Sequence, residues 1–171
     1  MKKILLAWTL LLIQNSFGAH IQSKGKVEFL AKGFPTFITI QGKGDQLKGE
    51  MDISGNKVNS GKFQFPLSTL KTGMDLRDEH MHEKYLESKK YPNAVLTLEP
   101  FNLEEEGTAK GKLSLHNKEK NVEVTYKRLS ENPLQIEAEF KLLLEDYGID
   151  IPSFQGITVA KEIKIKVNLG Q

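Results

Sequence analysis

After residue 24, apolar and polar residues mostly alternate, and this period of two constrains the fold more than any other feature of the chain. Lys62 to Leu67 reads K-F-Q-F-P-L, which puts Phe63, Phe65 and Leu67 on one side. Val122, Val124 and Tyr126 share a side, as do Leu134, Ile136, Ala138, Phe140, Leu142 and Leu144. Near the C-terminus Ile163, Ile165, Val167 and Leu169 alternate with Lys164, Lys166 and Asn168. In an extended backbone successive side chains point to opposite faces, so each segment has one apolar face and one wet face. Antiparallel strands carry this pattern; the strands of parallel sheets, covered on both sides, do not.

Short segments separated by turn residues support the same reading. Gly42-Lys43-Gly44, Gly49, Ser54-Gly55-Asn56 and Glu106-Gly107 are the candidate turns or bulges. Strands are expected at 24–30, 36–43, 46–53, 58–66, 93–99, 107–116, 120–128, 134–144 and 161–169. So many short strands in a row predict an all-β sandwich or closed barrel. One segment departs from the rhythm. From Asp75 to Leu86 there is no Gly or Pro, and Leu76, Met81 and Tyr85 lie near one helical face. Tyr91-Pro92 closes its exit, so a short helix is expected to cover one end of the barrel. A second turn or 3₁₀ segment is expected at Pro152 to Gln155.

The N-terminus follows a different logic. Lys2 and Lys3 precede an apolar run from Ile4 to Ile13, broken only by Thr9, and a polar stretch ending in Gly18 and Ala19. This is the layout of a secretory signal peptide, and the run is about half the roughly twenty residues that a bilayer span requires. We expect residues 1–18 to be removed, with cleavage after Gly18 or after Ala19. That leaves one domain over 19–171 in the periplasm or outside the cell. The whole chain has 24 basic and 22 acidic residues. Removing Lys2 and Lys3 leaves the two signs equal, and no basic stripe points to nucleic acid. The absence of cysteine rules out disulfides, thiolate metal sites, a cysteine nucleophile and a lipid-modified N-terminal cysteine.

The search for chemistry returns little. His80 and His82, with Asp78, Glu79 and Glu83, are the best metal or acid–base candidates. Residues two apart on a helix face different ways, and a zinc site would need a further ligand. Neither G-x-S-x-G nor a phosphate-binding glycine loop is present. Asp146 and Asp150 flank Tyr147-Gly148 in what reads as a turn, and Glu104-Glu105-Glu106 as a solvated tip. Arg77-Asp78 reads as an ion pair tying the helix to the barrel, with an anionic head group as the other use of Arg77. No catalytic residue, metal or cofactor is expected.

A set of short motifs resembles the YceI-like, polyisoprenoid-binding family. They are Thr72-Gly73, Arg77-Asp78-x-His80-Met81, Tyr85-Leu86, Lys90-Tyr91-Pro92 and Gly111-Lys112-Leu113-Ser114-Leu115-His116. Tyr147-Gly148-Ile149, Pro152-Ser153 and Gly156-Ile157 follow in the same order, so the likeness covers about residues 21–170. Three positions depart from the pattern: Met81 stands for Leu, the aromatic pair is Tyr85-Leu86, and Asn117 follows His116 where Gly is usual. The resemblance implies an extended lipocalin-like antiparallel barrel of eight strands with a helical segment, enclosing an isoprenoid or another long amphiphile. On that reading the candidate lining residues are Phe37, Phe63, Phe65, Leu113, Leu115, Val122, Val124, Phe140, Leu142, Ile163, Ile165 and Val167. Arg77 is the head-group candidate. The partner is a long-chain lipid, with transient membrane contact as a further possibility. An eight-stranded barrel is just wide enough either to be filled by its own side chains or to hold one ligand. Composition leaves both open, and with them two rivals: a packed interaction module and a histidine-dependent hydrolase.

Overall fold

The computed structural model describes residues 18–35, 38–154 and 156–170. The expected signal segment, up to residue 17, and Phe37 lie outside the described residues. In chain order the strands are β1 (Ala19–Phe34), β2 (Ile38–Ser54), β3 (Lys57–Pro66), β4 (Asn93–Leu98), β5 (Phe101–Asn102), β6 (Glu106–Leu115) and β7 (Lys118–Glu131). They continue with β8 (Leu134–Leu143), β9 (Ser153–Phe154), β10 (Ile157–Val159) and β11 (Glu162–Gly170). Eight of them close on themselves: β1 pairs with β2, β2 with β3, and so on through β4, β6, β7, β8 and β11, which returns to β1. Every pairing is antiparallel, and closure leaves no long open edge.

The alternation seen in the sequence is the inside–outside code of this wall. On β8, Leu134, Ile136, Phe140 and Leu142 are buried while Gln135, Glu137, Glu139 and Lys141 face water. Glu139 and Lys141 form ion pairs with Lys164 and Glu162 of β11 at 2.7 and 2.8 Å.

The expectation of two strands at 36–43 and 46–53, joined by a turn at Gly42–Gly44, is corrected. β2 runs unbroken from 38 to 54 and pairs with β1 along nearly its whole length. Its glycines make room instead of turning the chain. A Cβ at Gly42 would strike the Phe29 ring, one at Gly44 the Phe65 ring, and one at Gly49 the Phe63 ring. Rings from both neighbouring strands thus lie across the β2 backbone. The register does shift between Gly25 and Val27 of β1, a bulge that adds bend and twist to a long strand.

The antiparallel order places residues 67–92, 116–117, 144–154 and 156–161 at one end of the barrel, with the end of β1 and the start of β2. Residues 55–56, 99–105 and 132–133 lie at the other. The Tyr126 hydroxyl donates to the Asn102 carbonyl (3.0 Å) and accepts from the Glu104 N–H (3.1 Å), and Leu103 is buried beneath. The first end carries the helical cover: a short 3₁₀ turn (Leu67–Thr69), helix α1 (Asp75–His80) and a π-helical turn (Met81–Tyr85). The expected helix over Asp75 to Leu86 is therefore present, wider in its second half. Where a second turn or 3₁₀ segment is expected, at Pro152 to Gln155, Ser153–Phe154 is a short strand paired with β10 and Gln155 lies outside the described residues; a 3₁₀ turn forms earlier, at Leu144–Tyr147.

Candidate functional site

Inside the barrel the side chains do not meet on the axis. They enclose a cavity of about 460 Å³, within the size range of small-molecule sites. The cavity is walled by every barrel strand and by the helical cover. Six side chains with a polar atom border it: Thr72, Arg77, His80, Tyr85, Tyr126 and Ser153. All the rest of its lining is apolar.

Ten of the residues picked from alternation stand in this wall: Phe63, Phe65, Leu113, Leu115, Val124, Phe140, Leu142, Ile163, Ile165 and Val167. Val122 does not. It points inward, opposite Gly111, but is only partly buried and packs against the core without bordering the void. Its side chain ends at Cγ, a bond short of the leucines and phenylalanines around it. Phe37 lies outside the described residues.

Among the further lining residues that the candidate set leaves out, two groups stand out. Val27, Phe29, Ile40, Leu47 and Met51 come from β1 and β2, where glycines and a bulge hide the alternation. Met74, Leu76, Met81, Tyr85 and Leu86 come from the cover. The helical spacing of Leu76, Met81 and Tyr85 was visible, and it marked the face turned to the barrel.

The cover is fixed by a polar clasp around Thr72. Arg77 donates from Nε to the Thr72 hydroxyl (2.8 Å) and from Nη2 to the Thr72 carbonyl (2.9 Å). The same hydroxyl and the Thr72 N–H both donate to Oδ1 of buried Asp78, at 2.5 and 2.7 Å. The expected direct Arg77–Asp78 pair is thus a joint grip on a threonine. It shapes the Thr72-Gly73 turn, where Gly73 takes a positive φ of 79°. Arg77 also borders the cavity, half-buried, with its guanidinium anchored in place.

The histidines do not converge. His80 borders the cavity, whereas His82 contacts the Leu70 carbonyl through Nε2 at 2.9 Å. His116 stands at the β6–β7 turn, its Nε2 3.0 Å from Glu87 and its Nδ1 3.2 Å from the Tyr147 carbonyl. His116 and Asn117 both have positive φ, 51° and 58°, as a tight two-residue hairpin demands. Asn tolerates that conformation better than most residues, which accounts for Asn117 at a glycine-like position. Tyr147, buried nearby, has its phenol pushed up to about 12, first by burial and then by the Asp146 charge.

Residues 20–170 match the family model described as YceI-like domain. Among solved structures, that of Burkholderia cenocepacia BcnA superposes with a TM-score of 0.72 at 14% identity, covering 87% of this chain and 96% of that one. A polyisoprenoid binding domain from Saccharophagus degradans, implicated in plant cell wall breakdown, gives 0.64 at 16% identity with the same coverage of 87% and 96%. The Campylobacter jejuni YCEI protein gives 0.58 at 14%, covering 77% and 85%. None of the curated proteins matches the chain.

Proposed function

The chain belongs to the YceI-like domain family, and from that premise we propose that it is a non-catalytic carrier for an isoprenoid or other long-chain amphiphile, exported to the periplasm or beyond. The observation that carries this reading is the apolar cavity along the barrel axis. Each methylene moved from water into such a site contributes roughly 0.8 kcal/mol. Ordering a long chain and losing its free motion offset much of that gain, so a measurable affinity requires a long tail. A tail with few polar atoms suits this wall, and a polar head would remain at the mouth, where anchored Arg77 can meet a phosphate or carboxylate. The likeness to a polyisoprenoid binding domain supports the choice of ligand class.

The test is to purify the full chain from its native envelope without detergent and measure the lipid retained by native mass spectrometry. About one long-chain lipid per barrel is expected; recovery of empty protein that takes up no polyprenyl phosphate or fatty acid would overturn the reading. The intact mass of the same sample reports the export step. Loss of residues 1–18 or 1–19 is expected, and a full-length cytoplasmic product would contradict export.

A further inference from the structure

The mouth of the barrel carries its apolar surface outward. Ile38, Met74 and Leu76 border the cavity and are also 38%, 52% and 48% exposed, respectively. Phe34, at the end of β1 next to the Gly33–Ile38 pair, is 43% exposed. These four residues come from two separate parts of the chain, the adjoining ends of β1 and β2 and the start of the cover. Elsewhere among the described residues the large exposed apolar side chains are Leu129 and Leu143, both on the outer wall. A lip whose apolar side chains continue the lining of the cavity, beside the polar Thr72 and Arg77, fits a surface of the same mixed chemistry as an amphiphilic ligand.

We infer that this lip docks on the surface of a lipid bilayer, with Ile38, Met74 and Leu76 entering the region between head groups and acyl chains. The inference rests on the carrier reading, because it gives a buried tail a path from membrane to barrel that does not cross water. Charges around the lip are mixed. Lys32 and Lys71 are exposed beside it, and so is Asp75 at the start of α1. Attachment is therefore led by apolar contact rather than by attraction to acidic lipid. It should hold on neutral phosphatidylcholine and survive salt that screens surface charge.

The experiment is flotation of the purified full chain with phosphatidylcholine vesicles at 0.1 and 0.5 M NaCl, as order-of-magnitude low and high salt. The double variant Met74→Glu/Leu76→Glu is compared with Leu129→Glu, whose parent side chain is 51% exposed on the far part of β7. Circular dichroism and light scattering accompany each sample, and retained lipid is measured on the same material. The expected result is flotation of the parent and of Leu129→Glu at both salts, with partition of the double variant reduced about tenfold or more. A parent that stays in solution, or a folded double variant that floats like the parent, overturns the docking site even if the barrel carries lipid. A concentration-dependent dimer abolished by the double variant, without flotation, assigns the lip to a second copy and also overturns it. Flotation lost in the double variant together with a parent barrel that never holds lipid would leave the docking surface standing and remove the carrier reading.

Discussion

At the scale of single residues, two positions test the electrostatics and hydrogen bonding of the wall. On β1, His20 Nδ1 lies 2.8 Å from Asp52 on β2, and Ser60 of β3 donates to the other Asp52 oxygen at 2.7 Å. The bond to Asp52 raises the His20 pKa above its ordinary 6.5, and the bonds from Ser60 and then His20 lower the Asp52 pKa below its ordinary 3.8. The histidine contribution to stability is thus complete below 6.5 and fades as pH rises through the raised value. The aspartate contribution is complete above 3.8 and fades as pH falls through the lowered one. An NMR titration should place the His20 midpoint above 6.5, and Asp52→Asn should return it toward that value. Ser23 is the opposite case. Its hydroxyl is buried, with no hydrogen-bond partner among the described residues. An unmade hydrogen bond in a buried site costs about 1–3 kcal/mol, so Ser23→Ala should leave the denaturation midpoint unchanged or raise it. A clear loss of stability would show that the hydroxyl has a partner in solution. On β3, β6, β7, β8 and β11, which residues face inward was legible from parity alone. The Arg77–Asp78 clasp was not, because its centre, Thr72, sits in a turn whose shape no residue spacing encodes.

Among the elements, β2 shows where sequence reading fails and why. Glycine is the usual mark of a turn, and G-K-G between two alternating segments suggested a hairpin. The backbone instead stays extended through Gly42 and Gly44, because the absent side chains hold the space that aromatic rings from β1 and β3 occupy. The signal lies in the partner strands: Phe29, Phe63 and Phe65 need flat ground beside them, and one strand cannot reveal what its neighbour requires. Gly44→Ala should therefore destabilise the barrel by about 1–3 kcal/mol, the usual cost of overpacking. It should also push the Phe65 ring toward the cavity and lower the capacity for ligand. Equilibrium urea unfolding measures the first effect and retained lipid the second. Unchanged values for both would mean that the ring lies elsewhere. The helical cover was the more readable element, since its lack of Gly and Pro and the spacing of Leu76, Met81 and Tyr85 marked it clearly.

For the whole molecule the decisive question is whether the axis is full or empty, and no strand answers it alone. The sequence points to nine short strands, two of which are the single β2, and to the inward faces of most of them. Whether opposed faces meet depends on strand tilt and on how the large rings lie, and here rings resting on β2 glycines leave the centre free. This makes the void separable from the fold. Ala138 sits near the middle of β8, paired with Val167 of β11 and Tyr126 of β7, and its methyl borders the cavity. Ala138→Phe would place a ring in open space with no polar atom to satisfy, so it should fill the cavity without breaking the wall. A ligand that binds only the folded barrel raises its melting temperature by mass action. Stripping lipid should then lower the parent melting temperature and leave that of Ala138→Phe unchanged. The stripped variant should match the stripped parent or exceed it. Calorimetry of the four samples, with lipid measured in each, checks this. If Ala138→Phe still carries one lipid per barrel and still loses stability on stripping, the ligand does not lie on the axis, and the site must be sought on the outer face.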